Sequence, residues 1–136
     1  MEKIKNISPG NHVYYETRTE KGFSDILLCT IDHQDIKSFE KNSYKFNQDH
    51  KPIPMSKQWH KRFGVEGIPT ESAFRYELPS NINLHVKVEF LNSGVYLNSG
   101  HSSVCIWNKD VARRDMYVHE WQNLYNSLTG EKLKKK

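Results

Sequence analysis

Two cysteines, seven glycines and five prolines in 136 residues leave little room for several common designs. Cys29 and Cys105 are far apart, with no Cys-x-x-Cys spacing to suggest a metal or redox pair, so two buried reduced thiols in apolar strand-like surroundings are expected, with a disulfide as the lesser alternative. No apolar stretch reaches the roughly 18 residues of a membrane helix, and Met1-Glu-Lys-Ile-Lys-Asn6 lacks the apolar core of a secretion signal. These absences predict a cytoplasmic protein without a membrane partner. Catalytic signatures are missing too: there is no Gly-x-Ser-x-Gly and no glycine-rich phosphate loop ahead of a helix. The seven histidines contain no His-x-His or His-x-x-x-His pair, so neither a metal site nor a cofactor is expected. Asp32-His33 and Asp49-His50 each set a carboxylate beside an imidazole. Neighbours along a strand face opposite ways, which argues against one orienting the other. The chain reads as a non-enzyme.

What is present is aromatic. The hydrophobic fraction of 36% is modest, but 12% of residues are Phe, Trp or Tyr, so a core built on large rings is expected. At this length one domain is predicted over 1–136. The net charge of +4 is unevenly placed: an excess of three positive charges falls in each of 51–68 and 111–136, while 1–50 and 69–110 are each negative by one. The excess lies in the two segments that read as helical, forming either solvated faces or a positive rim for phosphate-bearing partners.

Residues 1–50 read as a β meander of SH3-like or OB-like character, with runs at Asn11–Glu16, Asp25–Ile31 and Ser38–Phe46. Residues 51–68 hold a Pro-rich connector and a short helix from Lys57 to Phe63, capped by Ser56 and closed by Gly64, with Trp59 and Phe63 on one face. Residues 69–110 form an antiparallel sheet. Phe74, Tyr76 and Leu78 alternate with Arg75 and Glu77, and Leu84, Val86, Val88 and Phe90 alternate with His85, Lys87 and Glu89. Leu91-Asn-Ser-Gly94 recurs as Leu97-Asn-Ser-Gly100, framing a short run with two turns. A C-terminal helix over 111–133 carries the stripe Tyr117, Trp121, Leu124, Tyr125, Leu128, with Asp115 as cap and Gly130 as stop, ahead of a basic tail at 134–136. The fold class predicted is α+β, with that helix packed on the sheet.

Three segments, Ile7–Tyr15, Pro52–Gly64 and Tyr117–Leu133, carry the motifs Gly-Asn-x-Val-x-Tyr, Pro-Ile-Pro-x-x-x-x-Trp-x-x-x-Phe-Gly and Tyr-Val-His-x-x-Gln-Asn-Leu-Tyr-x-x-Leu-Thr-Gly-Glu. In order and spacing the chain resembles a family of small proteins from Bacteroidota phages, prophages and mobile elements. Met55, Ser56, Lys57, Gln58 and His60 stand where that pattern is more acidic and aliphatic, and Trp121 takes a leucine position. The resemblance implies no activity. It implies a gene product acting inside a bacterial host cell.

The remaining constellation is the outward face of the second sheet. Arg75, His85 and Lys87 point away from the apolar rows there, accompanied by Tyr96 and Trp107, with Arg113 and Arg114 beyond; the alternative is that a helix or a second protomer covers this face and makes Trp107 core. Rings among cations suit a base-like ring with phosphates. The expected function is sequestration of a small nucleotide-like ligand, an immune signal in a counter-defence setting, with a homodimer interface as one place for the pocket. Two alternatives stand beside it: a nucleic-acid accessory protein, for which +4 is a weak charge, and a protein inhibitor of a host factor.

Overall fold

A computed structural model describes residues 3–18, 22, 24–68, 73–77, 83–87, 94–99, 102–108 and 116–136. The chain is α+β and divides into two compact units, residues 1–54 with 117–134 and residues 55–116 with 135–136.

In the first unit, β1 (His12–Arg18) and β2 (Ser24–Thr30) form an antiparallel hairpin, and β3 (His50–Lys51) pairs with the other side of β1, giving the order β2-β1-β3. Between β2 and β3 run α1 (His33–Lys41) and α2 (Ser43–Asp49). The expected third strand at Ser38–Phe46 is therefore helical. The reason is local: Asp32 Oδ1 accepts from the Asp35 N–H at 2.9 Å while Asp35 Oδ2 accepts from the Asp32 N–H at 3.0 Å, a reciprocal cap that starts α1. Ile36 and Phe39 of α1 and Phe46 of α2 then pack with Ile4, Val13 and Ile31. Helical spacing overrides the β preference of the rings. Asn47 pins the N-terminal segment to α2, accepting from the Ile4 N–H at 2.7 Å and donating to the Ile4 carbonyl at 3.2 Å.

The last helix, α4 (Val118–Thr129), docks on β1 of this same unit. Its buried positions are Val118, His119, Trp121 and Gln122, and Leu128 is exposed, so the inward stripe is rotated about one residue from the expected Tyr117–Leu128 line. Tyr117 is the cap residue, its N–H donating to Glu120 Oε1 at 3.0 Å; Asp115 lies outside the described residues. Gly130 closes the helix at φ 76°, as its sequence position predicts. An added Cβ there would meet no atom within 4 Å, so the cost of Gly130→Ala is conformational alone. It should lower stability by about 1 kcal/mol, read as a shift in urea midpoint at constant slope.

The second unit carries α3 (Lys57–Arg62) and a sheet of order β4-β5-β6-β7-β8, comprising Gly67–Ile68, Ala73–Glu77, Asn83–Lys87, Gly94–Ser99 and Ser102–Asn108. Every pairing is antiparallel. Ser56 caps α3 and Gly64 follows it at φ 86°. Trp59 and Phe63 are buried with ring centroids 5.6 Å apart, and the Arg62 guanidinium lies 4.8 Å from the Trp59 ring. Phe74 and Tyr76 are buried while Arg75 between them is exposed, the alternation expected of β5. Leu78, Val88 and Phe90 lie outside the described residues.

Candidate functional site

The register of the second sheet sorts the expected site. Arg75 lies opposite His85, His85 opposite Tyr96 and Tyr96 opposite Cys105, one row across four strands. Lys87 falls in a second row, opposite Ala73 and Gly94. The Tyr96 ring lies over Gly94, where a Cβ would stand 2.9 Å from Cε2.

Trp107 does not join them. It pairs with Val95, whose row runs back through Val86 to Phe74, because a bulge between Val95 and Tyr96 leaves Ile106 as an extra residue in β8. Residues opposite one another share a face, and one inserted residue turns the rest of the strand to the other side. Without the bulge Ile106 would pair with Val95 and Trp107 would lie opposite Gly94, beneath Tyr96. With it, Trp107 aligns with buried Val95 and Phe74. The expected platform of Arg75, Tyr96 and Trp107 is thus divided between two faces, and Arg113 and Arg114 lie outside the described residues. Cys105 is exposed, contrary to the buried thiol expected, and Cys29 is half-buried; both are free thiols.

A better furnished cleft lies in the first unit, between the β1–β2 hairpin and the two helices after it. Its volume is about 720 Å³, and it is lined by Tyr15, Cys29, Asp35, Ser38, Lys41, Asn42, Lys45, Phe46, Asp49 and His50. That size falls within the range of sites for small organic ligands. A second open trough of about 740 Å³ adjoins it through Tyr15 and Asp49.

One residue sets the helical wall. Asn42 ends α1, its N–H donating to the Ser38 carbonyl at 3.0 Å, and starts α2, its Oδ1 accepting from the Lys45 N–H at 3.1 Å. Its extended backbone, at φ −157°, turns the chain so that Lys41 of α1 and Lys45 of α2 border one cleft.

The floor is a run of rings. Phe46 and His50 stack with centroids 3.7 Å apart and planes within 4° of parallel, and Tyr15 meets His50 at 5.0 Å with a 57° tilt. His50 Nδ1 lies 2.9 Å from the Phe46 carbonyl and 2.7 Å from Asp49 Oδ1. Both atoms are acceptors, so Nδ1 carries the proton, and in the neutral ring Nε2 is left as an acceptor with no hydrogen-bond partner among the described residues. The expectation that strand alternation works against Asp49 orienting its neighbour does not hold here. Asp49 ends a helix and His50 begins a strand, and the turn of backbone at that junction replaces the strict alternation of a strand.

Burial, and then the Asp35 and Asp32 carboxylates, raise the Cys29 thiol above its ordinary range. It stays protonated at neutral pH, which argues against a nucleophilic thiolate. Asp32 is held below the usual carboxylate range, first by the Asp35 N–H it accepts. His60 in the second unit is a packing group: stacked on Phe74 at 4.4 Å and hydrogen-bonded to the Tyr76 hydroxyl, it is pushed down to about 3 by burial. Among the described residues no cluster of three His, Cys, Asp or Glu is placed to hold a metal ion, and no helix is long and apolar enough to cross a membrane.

No family model, curated protein or solved structure matches this chain.

The cleft draws on residues 15, 29 and 35–50, brought together by the hairpin and the helical turn. The signals for it in sequence are the Asp32–Asp35 and Asn42 caps, which a reading of Ser38–Phe46 as a strand passes over.

Proposed function

We propose that the protein binds a small phosphate-bearing ligand with a planar ring in the cleft between the β1–β2 hairpin and the α1–α2 pair. One observation carries this reading: a ring floor of Tyr15, Phe46 and His50 in the same 720 Å³ cleft as Lys41 and Lys45. A base stacked on Tyr15 gains about 1–3 kcal/mol. The two ammonium groups suit phosphate oxygens, and His50 Nε2 suits a ring N–H or hydroxyl donor. Asp35 and Asp49 balance the lysines, which favours a compact ligand carrying donors as well as phosphate over a long polyanion. The role assigned is binding without turnover, in keeping with the protonated Cys29 thiol. With the resemblance to phage and mobile-element proteins, it becomes sequestration of a nucleotide signal in the cytoplasm of a bacterial host.

Calorimetry with cyclic dinucleotides, cyclic mononucleotides and cyclic ADP-ribose isomers tests this. At least one should bind, the Lys41→Ala/Lys45→Ala double variant should weaken that binding about tenfold to a hundredfold, and Tyr15→Leu about tenfold. Arg75→Ala, in the other unit, should leave it unchanged. Absence of heat with every compound, or equal affinity in the double variant, rejects the reading.

A further inference from the structure

The first sheet has an outer edge at β2, the strand that gives Cys29 to the cleft. In the order β2-β1-β3, β2 is outermost among the described residues, and as in any antiparallel edge strand alternate residues turn their N–H and C=O groups away from the sheet. Ile26, Leu27 and Leu28 along it are 65%, 53% and 40% exposed. Natural edges are blunted by charge, proline, a bulge or shortness. Over seven residues β2 has no proline, an unbroken register with β1, and a single charge, Asp25 near one end.

The strand is also close to its own reverse complement. Two copies laid antiparallel with Leu27 on the two-fold axis set Ile26 against the partner's Leu28 and Asp25 against the partner's Cys29. Ile26 and Leu28 then join apolar to apolar on one face, and Leu27 meets its copy on the other, with Asp25 and Cys29 flanking it. The two Asp25 carboxylates fall roughly 14 Å apart, beyond the screening length, whereas a parallel in-register pair would set them side by side. A strand of another protein would need its own match to this pattern. A second copy supplies it by symmetry.

We propose that the protein forms a two-fold dimer by antiparallel pairing of β2 with β2 of a second copy about Leu27, joining two three-stranded sheets into one of six strands. The pairing rests on the outer backbone edge of β2 and not on the proposed ligand, although Cys29 of this strand also lines the cleft.

Sedimentation equilibrium of the whole chain across a concentration series should give twice the 16.0 kDa chain mass. Leu27→Lys sets two ammonium groups face to face at the axis and, being at an exposed position, leaves each copy folded; it should raise the dimer dissociation constant about tenfold or more. The register has its own test: in a Cys105→Ser background, which removes the other exposed thiol, the Asp25→Cys variant under mild oxidation should form a covalent dimer through the partner's Cys29, and adding Cys29→Ser should abolish it. A monomer at every concentration, an unchanged dimer in Leu27→Lys, or a cross-link that survives Cys29→Ser overturns the proposal. Masses growing beyond the dimer overturn it too, because closed two-fold pairing consumes the β2 edges of both copies.

Discussion

Acidifying the protein from neutral pH to about pH 4.5 should cost it about 3 kcal/mol through His60 alone, and the His60→Phe variant should not show that loss. The cause is burial. His60 is 1% exposed, its ring lies on Phe74 at 4.4 Å, and its folded pKa falls from 6.5 to about 3. The unfolded chain therefore takes up the proton first. Stability from the neutral ring is complete above the unfolded value near 6.5, falls as the pH drops below it, and is gone below the folded value near 3. Other groups titrate in the same window, so the informative quantity is the difference between the two proteins. His60→Phe keeps a flat ring against Phe74 and loses the bond to the Tyr76 hydroxyl, which lowers its stability at neutral pH by about 1 kcal/mol. Its profile should begin lower and then cross that of the parent on acidification. Urea midpoints measured across pH decide it: parallel profiles would mean that the folded ring accepts a proton as readily as the unfolded one.

Capping and alternation are legible in the sequence where they act within a few residues. Ser56 and Gly64 bound α3, Gly130 stops α4, and Phe74, Arg75 and Tyr76 alternate as written. The departures share one cause, a local rule overridden by a residue that the rule does not weigh. Ser38–Phe46 carries three aromatic strand formers, Phe39, Tyr44 and Phe46, yet the caps at Asp32 and Asn42 commit it to two helices. Counting alternate residues sends Trp107 to the cation face, and the single extra residue Ile106 reverses the count. As strand neighbours Asp49 and His50 would face opposite ways, but they straddle a helix end. The cleft is hidden for a further reason. Tyr15, Cys29 and Lys45 belong to three separate elements, and no spacing rule brings them together before the hairpin and helices pack.

Gln122→Ala should destabilise the first unit by about 3 kcal/mol, an effect as large as the loss of a core hydrocarbon side chain from a residue that hydropathy ranks as surface. Gln122 is 3% exposed, on the face of α4 turned to β1. Its Oε1 accepts from the His12 N–H at 2.8 Å, and its Nε2 donates to the carbonyls of Gly10 at 3.0 Å and Leu133 at 2.7 Å. One amide thus ties the start of β1, the preceding turn and the segment after α4, and its neighbour Asn123 accepts from Asn11 Nδ2 at 3.0 Å. Each buried polar group that loses its partner costs about 1–3 kcal/mol, and solvent has little access to compensate. Two further variants separate hydrogen bonding from packing. Gln122→Met keeps the length and removes both polar atoms; Gln122→Glu keeps the acceptor for His12 but presents a carboxylate to two carbonyls that need a donor. Both should fall well below the parent, and amide exchange at His12 should quicken in the Ala and Met variants. A Gln122→Met protein within about 0.5 kcal/mol of the parent would show that α4 is held by Val118 and Trp121 alone.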